Sequence, residues 1–377
     1  MNSTRGLLLW AGFSVLAGCA SSAAYRAQGL NPYSPRHDHP YRHGAVPTRT
    51  AQAKMQTWWT AHPVTQVFAP GTGIKTLSFG GGIDGIGVTS GKPTVYLVIY
   101  GSQWGEASSD ANGNAMFNGD SNGEVPRLQQ LFRGLGTGGE LWSGTMTQYC
   151  DGPQVNPGAT SCPSNAAHVA YPAAGVLAGV WYDNSIASPA AATGNQLATE
   201  AIKAAAHFGN TTAASNRYAQ YVILSPPGTT PDGFNTTNGN FCAWHDYNGD
   251  TTLSGGAAPS SFGDIAFTNM PYVTDAGSGC GASFVNSGAA GALDGVTIVE
   301  GHEYAETVTY QNPAGGWTNQ TCNPTYAGQE NGDECAWIAS GGQGASANVA
   351  MGNGSYAMQS TWSNDTNRCD ISHPVVQ

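Results

Sequence analysis

The residues best placed to do chemistry in this chain form one short segment, His302-Glu303-Tyr304-Ala305-Glu306. On a helix of 3.6 residues per turn, His302 and Glu306 lie on one face, one turn apart, so both side chains can reach the same ion. Glu303 lies about 100° around the helix, beside that ion. The spacing predicts His302 and Glu306 as metal ligands and Glu303 as a general base that takes a proton from water.

This spacing is that of the HExxH helix of metallopeptidases, with the second histidine replaced by Glu306. Such a zincin-like helix supplies two ligands, and the third comes from another segment. The carboxylate-rich loop at residues 329–335 offers Glu330 or Asp333 for that role. The alternatives are an acidic surface turn at this loop, and a helix whose two glutamates face solvent.

The predicted ligands determine the charge of the site. One histidine and two carboxylates cancel the charge of a divalent zinc, and a neutral site lowers the pKa of bound water less. Either the activity is modest or a further group joins, and His245 is the candidate, as a ligand or as an oxyanion donor. A buried structural histidine beside Cys242 and Trp244 is the alternative. Zinc is the predicted cofactor, and carboxylate-rich ligands also admit manganese or calcium.

The elements that must position these residues follow from the apolar pattern. Four segments rich in β-branched and aromatic residues are predicted as strands: Thr94–Tyr100, Tyr218–Ser225, Ile265–Val273 and Ser355–Trp362. Four others are predicted as helices: Glu124–Leu135, Leu141–Tyr149, Asn195–Phe208 and Asp294–Tyr310. We expect Asp294 to be the N-cap of the last helix. The mixture, without a repeating unit, indicates a loop-rich α/β or α+β domain with a mixed sheet and a zincin-like active-site helix.

The composition is typical of an exported, loop-rich protein. Charged residues make up 10% of the chain, against about 25% in ordinary soluble domains, and glycine occurs 52 times. The net charge is −11, with four lysines. This argues against nucleic acid as a partner, because a phosphate backbone requires a basic face. It also argues against binding through anionic lipid headgroups.

The N-terminal residues predict the compartment. Arg5 precedes a short apolar run, and Leu16-Ala17-Gly18-Cys19 has the form of a lipobox. Residues 1–18 are therefore predicted as a signal peptide and Cys19 as the lipidation site, with an ordinary signal peptide as the alternative. Ala20 favours the outer membrane. We expect a protein anchored in the cell envelope, or extracellular, that contacts the membrane only through its lipid.

Residues 19–75 are predicted as a lipidated tether, because prolines interrupt them and no apolar period is sustained. The tether contains His37, His39 and His43, which could capture a metal but which a solvated linker explains better. Residues 76–377 are predicted as a single domain.

Seven cysteines remain once Cys19 is assigned to lipid, and an oxidising compartment favours disulfides that stabilise the domain. Local spacing predicts three pairs: Cys150–Cys162, Cys242–Cys280 and Cys322–Cys335. The last pair would hold the acidic loop in place and would leave Cys369 without a partner.

The segment Asp246-Tyr247-Asn248-Gly249-Asp250 resembles the opening of a calcium loop. It lacks the glycine at position six and the closing glutamate at position twelve of an EF-hand. Calcium is therefore a secondary prediction, since Asn, Asp and Gly also form ordinary turns.

Several motifs occur in the order found in a known family: Tyr96 to Trp104, Tyr221 to Ser225, Phe241 to His245, His302 to Trp317, and Glu330 to Cys335. Through them the chain resembles the EXORDIUM, or phosphate-induced protein 1, family of extracellular proteins, over roughly residues 92–362. The resemblance implies an association with the cell wall and growth signalling. It strengthens the site without naming a substrate, and it does not include the tether, the lipobox or the segments near Ala107–Glu124 and Asp246–Ser261.

Three classes of function compete. The leading hypothesis is a cell-envelope zinc metallopeptidase that acts on a protein or peptide, with Glu303 and His245 as catalytic residues. The second is a glycan-binding or glycan-active cell-wall protein, because abundant Trp, Tyr and Asn suit sugars and paired carboxylates can act as acid and base. The third is a non-catalytic envelope or signalling protein with a structural metal site.

Overall fold

The structure is a computed structural model, and it describes residues 31–63, 73–321, 323 and 325–376. The predicted signal peptide and Cys19 lie outside these residues, as does Cys322. Among the described residues, no helix combines the length and the apolar character that crossing a bilayer requires.

The strands are β1 (His43–Pro47), β2 (Ser78–Phe79), β3 (Thr94–Tyr100), β4 (Ala107–Ser109), β5 (Ala115–Phe117), β6 (Cys150–Asp151), β7 (Ala167–His168), β8 (Leu177–Asp183), β9 (Ala219–Leu224), β10 (Phe241–Tyr247), β11 (Ala266–Met270), β12 (Trp317–Thr318), β13 (Ala347–Met351), β14 (Gly354–Met358), β15 (Thr361–Ser363) and β16 (Arg368–Asp370). The α-helices are α1 (Arg49–Ala61), α2 (Glu124–Gly134), α3 (Gly194–His207), α4 (Ala213–Asn216) and α5 (Asp294–Thr309). Short 3₁₀ turns join several of them, including one at Asp333–Cys335.

The largest sheet is mixed and has the strand order β1-β10-β11-β9-β3-β8. Strands β11, β9, β3 and β8 pair in parallel, whereas β10 is antiparallel to β11 and β1 is antiparallel to β10. Every residue of β9 and β11 is buried, which is typical of parallel strands covered on both faces. The mixed sheet predicted from the sequence is confirmed.

Helix α5 lies at the antiparallel end of this sheet, in contact with β1, β10 and the β13–β14 hairpin, while α3 packs on β3, β9 and β11. All 16 residues of α5 are buried, so the helix has no solvent face. Gly301 allows this packing, because a Cβ at that position would lie 2.6 Å from Cε of Met358 in β14. The helix therefore carries its polar residues into the protein interior.

Most predicted elements form near their predicted bounds, and β3 matches its predicted segment, Thr94–Tyr100. Three differences stand out. Leu141–Tyr149 contains a 3₁₀ helix at Ser143–Gln148, and the last predicted strand is divided into β14 and β15. Asp294 is not the N-cap of α5, because Leu293 holds that position. The Asp294 carboxylate instead accepts hydrogen bonds from the N–H groups of Val285 and Asn286.

Strand β1 and helix α1 lie within residues 19–75, where the composition had indicated a tether. Strand β1 is wholly buried and is the edge strand of the large sheet. Helix α1 begins after Thr48, whose hydroxyl accepts a hydrogen bond from the Ala51 N–H. Residues 43–61 thus form folded elements, of which β1 contacts α5, and His43 is buried rather than part of a solvated linker.

Three disulfides join cysteines of the described residues. Cys150–Cys162 and Cys242–Cys280 are confirmed. The predicted Cys322–Cys335 pair is wrong, because Cys335 bonds to Cys369. Strand β15, which packs against the turn at Asp333–Cys335, pairs with β16 and so carries Cys369 to Cys335 across 34 residues.

Candidate functional site

Helix α5 places His302 and Glu306 on one face, as their spacing predicts. Nε2 of His302 lies 3.0 Å from Oε2 of Glu306, and both side chains are fully buried. Because these residues occupy successive turns of a buried helix, their relative position is fixed by the backbone. The two groups can therefore present donor atoms to one ion.

Strand β10 brings His245 to the same place. Its Nε2 lies 2.9 Å from Oε2 of Glu330 and 3.9 Å from Oε2 of Glu306, and the imidazole is fully buried. Side chains alternate along a strand, so His245 points to one face of the sheet and its neighbour Asp246 to the other. The sequence left open whether His245 belongs to the site, and the structure brings it there.

The acidic loop closes over the end of the two α5 side chains. Oε1 of Glu306 accepts hydrogen bonds from the N–H groups of Gly332 and Asp333, at 3.1 and 2.8 Å. Oδ1 of Asp333 lies 3.7 Å from Nε2 of His302. Glu330 is fully buried and Asp333 nearly so, which contradicts the alternative of an acidic surface turn.

Five of the residues in and beside this cluster form two overlapping groups of metal-ligand type. His302, Glu306 and Asp333 each offer an atom within 4.8 Å of the others, and so do His245, Glu303 and Glu306. Glu306 belongs to both groups. Either group could hold a metal ion, since imidazole nitrogen and carboxylate oxygen are ordinary ligands of divalent metals.

Glu303 has an unusual environment. It is fully buried, and neither of its carboxylate oxygens has a hydrogen-bond partner among the described residues. The alternative of a solvent-facing Glu303 is therefore wrong. Burial and the nearby Glu306 carboxylate raise its pKa well above the usual value. A buried carboxylate in this position requires a proton or a nearby cation.

Burial and neighbouring charges also shift the pKa values of four other titratable groups in the cluster. Burial and the Asp333 carboxylate raise the pKa of Glu330, and burial with Glu306 raises the pKa of Asp333 to about 7. Burial lowers the pKa of His245 to about 4. Burial also opposes the charging of His302, but Glu306 and Asp333 outweigh it and raise its pKa to about 9. A cluster with this excess of carboxylates fits a divalent cation.

Gln359, which follows β14, connects the helix to the acidic loop. Its Oε1 lies 3.2 Å from Nδ1 of His302, and its Nε2 donates to the carbonyl oxygen of Gly332 at 2.9 Å. A group that holds the second nitrogen of a ligand histidine fixes the orientation of the ring. The sequence contained no local signal for this role of Gln359.

The N-terminal strand β1 covers the cluster. The carbonyl oxygen of Gly44 lies 3.1 Å from Nε2 of His302. Gly44 has a φ of +53°, and a Cβ at this position would lie 1.9 Å from Oε2 of Glu306. Only glycine combines that backbone conformation with this close approach. Gly44 is the second residue of the site that the sequence did not reveal.

A separate group lies where the sequence suggested a calcium loop. His43, Asp246 and Asp250 each offer an atom within 4.8 Å of the others, and this group could also hold a metal ion. Nε2 of His43 lies 3.5 Å from Oδ2 of Asp250. The group contains one histidine and two carboxylates, unlike the all-oxygen ligand set of an EF-hand.

Access to the main cluster is narrow on the side of Asp333. A cavity of about 60 Å³ reaches this residue and is lined by N-terminal residues that include Arg36, Ala45 and Pro47. A larger groove of about 700 Å³ lies elsewhere, along α1 and the Asn235–Asn240 loop. The candidate cluster therefore lies beneath the N-terminal segment and not in the larger groove.

Comparison of the chain with protein-family models, curated proteins and solved structures gave no match. The resemblance to the phosphate-induced protein 1 family stays a prediction.

Proposed function

We propose that this protein is a metal-dependent peptidase of the cell envelope. His302, Glu306 and Asp333 would hold the metal, with Glu330 and His245 beside them, and Glu303 is the general base. The acidic loop offered Glu330 or Asp333 as third ligand, and we choose Asp333 because its Oδ1 lies 3.7 Å from Nε2 of His302 and it groups with the His302–Glu306 pair. Zinc is the metal we expect, because the ligand set contains imidazole nitrogen and carboxylate oxygen.

One observation carries this proposal. Glu303, with two unpartnered carboxylate oxygens among the described residues, lies within 4.8 Å of donor atoms of His245 and Glu306. A structural role would satisfy such a group with hydrogen bonds, since an unsatisfied buried carboxylate is costly. A residue that must accept and release a proton has to remain unpaired and close to the reacting atoms.

Each residue of the cluster has its own role in the hydrolysis of a peptide bond. A metal held here would supply a Lewis acid that polarises a carbonyl group and acidifies water. Glu303 accepts the proton of the attacking water as the new carbon–oxygen bond forms. It then passes that proton to the amide nitrogen as the carbon–nitrogen bond breaks, which yields a carboxylic acid and an amine. Nε2 of His245, which now lies 2.9 Å from Oε2 of Glu330, would exchange that partner for the carbonyl oxygen and donate to it as negative charge develops there.

Metal analysis combined with two variants tests the proposal. We expect the purified protein to bind one zinc per cluster and to hydrolyse a quenched-fluorescence peptide library. Glu303→Gln should retain the metal and lose hydrolysis by about 10²–10⁴-fold, the usual contribution of a general base. His302→Ala should lose both metal and hydrolysis.

Glu200→Gln is the matched control, because Glu200 is also a buried helical glutamate but lies in α3, away from the cluster. It should keep both properties. A protein that binds no metal, or a Glu303→Gln variant as active as the parent, contradicts the proposal. Retention on cell-wall polysaccharide without metal would instead support the glycan-binding hypothesis.

A further inference from the structure

The edge of β10 beside the cluster is paired with another strand of the same chain, β1. Strand β1 pairs with β10 through His43 with His245, Val46 with Ala243, and Pro47 with Phe241. The register is irregular between His43 and Val46. The interruption falls at Gly44 and Ala45, where the backbone leaves the ladder and turns its carbonyl group toward His302.

The contacts of Gly44 are those that a bound peptide would make. Its carbonyl oxygen lies 3.1 Å from Nε2 of His302, and its N–H interacts with the Glu330 carboxylate. Both backbone polar groups of Gly44 thus face residues of the cluster. Extended peptides bind in this way when they add a strand to an exposed sheet edge, with main-chain hydrogen bonds supplying the affinity.

The cluster also limits which residue can lie at this position. A Cβ on Gly44 would lie 1.9 Å from Oε2 of Glu306 and 2.7 Å from Cδ2 of His245. Both of these side chains are buried and held by several partners, so they cannot move aside easily. Glycine is therefore the residue that fits against the cluster.

We propose that the substrate is an extended polypeptide that pairs antiparallel with β10 and carries glycine where Gly44 now lies. Strand β1 occupies this edge of β10 as a substrate-like segment of the chain itself. It must leave before a substrate can bind. This inference rests on the proposed peptidase function, because it assigns the substrate class and the regulation of the same site.

Peptide binding to the full chain tests the inference separately from hydrolysis. The probe is a fluorescent peptide with the sequence of residues 41–48, and the readout is fluorescence anisotropy. Gly44→Ala should displace β1, which raises hydrogen exchange at residues 43–47 and exposes the edge of β10. This variant should bind the probe at least tenfold more tightly than the parent chain. A second probe with alanine at the glycine position should bind at least tenfold more weakly than the first.

Gly113→Ala is the matched control, since Gly113 also has a positive φ of +74° but no atom lies within 4 Å of its added Cβ. It should behave as the parent chain. Hydrogen exchange of β3 and α5 shows whether Gly44→Ala remains folded.

A variant that fixes β1 covers the case in which Gly44→Ala does not fold. Val46 and Ala243 are partners across the β1–β10 pair, so cysteines are introduced at these two positions to link the strands by a disulfide. The oxidised variant should bind no probe and hydrolyse no peptide. If it hydrolyses peptides as fast as the parent, β1 does not occupy the position of the substrate on β10.

The two proposals fail in different ways. If metal binding and hydrolysis are found but Gly44→Ala binds the glycine and alanine probes equally, the substrate inference is wrong and the peptidase function stands. If the glycine probe binds selectively but no metal or hydrolysis is found, the edge of β10 binds peptides and the peptidase function is wrong.

Discussion

The carbonyl oxygen of Gly44 lies 3.1 Å from Nε2 of His302, although 258 positions separate the two residues in the sequence. The contact makes the N-terminal segment part of the candidate site. It also helps to explain why the cluster is buried, because β1, itself a buried strand, packs against it. The stability of this segment therefore determines how often the cluster is accessible.

Arg42 fixes the segment just before β1. Its Nε donates to Oδ2 of Asp232 at 2.8 Å, its Nη2 donates to the Asp232 carbonyl oxygen at 2.7 Å, and its Nη1 donates to the Pro35 carbonyl oxygen at 3.2 Å. Both charged side chains are buried, at 4% and 5% exposure. A buried pair with several hydrogen bonds loses much more than a surface pair when one partner is removed.

We therefore expect Arg42→Ala to lower the free energy of unfolding by about 3–5 kcal/mol and to increase hydrogen exchange in β1 first. Arg368→Ala is the control, because its pair with Asp370 involves an arginine side chain that is 57% exposed. It should cost less than about 1 kcal/mol. Urea unfolding and hydrogen-exchange mass spectrometry measure both effects. Equal losses for the two variants would mean that Arg42 does not hold the segment.

Gln359 provides a test of metal binding that leaves the proposed ligands intact. Because it orients His302 and holds the Gly332 carbonyl group, Gln359→Leu should weaken zinc affinity by about 10–100-fold. Gln148→Leu changes another buried glutamine, one that bonds to Thr145 and Ser363 instead, and should leave the affinity unchanged. Competition with a fluorescent chelator gives both affinities. An unchanged affinity in Gln359→Leu would show that His302 needs no such support.

The sequence predicted the parts of the fold that depend on local patterns. The run from Thr94 to Tyr100 is buried and β-branched, and it forms a strand of the predicted length. The i,i+4 spacing of His302 and Glu306 depends only on helix geometry, so their contact was predictable. The strand at Phe241–Tyr247 was not predicted, because His245 and Asp246 place polar groups on both of its faces and mask the alternation.

Long-range contacts were beyond the reach of these patterns. The prolines before β1 are typical of a linker, and only the pairing with β10 makes the segment a strand. Local spacing paired Cys335 with Cys322, whereas the turn between β15 and β16 brings Cys369 to it. Gly44 joins the site through its backbone, and its residue type carries no sign of metal chemistry.

The Cys335–Cys369 disulfide should support the acidic loop. Cys335 lies two residues after Asp333, and the bond closes a sequence separation of 34 residues. Replacing both cysteines with serine should lower the free energy of unfolding by about 3–4 kcal/mol and weaken zinc binding. The same change at Cys150 and Cys162, which closes only 12 residues, should cost less stability and leave zinc binding unchanged. Thermal unfolding and metal titration distinguish these results. Normal zinc affinity without the Cys335–Cys369 bond would show that the loop is held by its other contacts.

The pH dependence of stability should reveal the buried glutamate at the start of α2. Burial raises the pKa of Glu124 from 4.5 to about 8. Between these two pH values the folded protein keeps a proton that the unfolded chain has lost, so stability falls as the pH rises from 4.5 to 8. The glutamine of Glu124→Gln cannot ionise. The free energy of unfolding of this variant, relative to the parent, should therefore grow across this window, by about 1.4 kcal/mol per pKa unit that separates the folded and unfolded chains.

Glu106→Gln, at an exposed position, should follow the parent at every pH. Urea unfolding at pH 5 and pH 8 measures the difference. If Glu124→Gln gains no more at pH 8 than at pH 5, the Glu124 carboxyl ionises alike in the folded and unfolded chain, and burial does not raise its pKa.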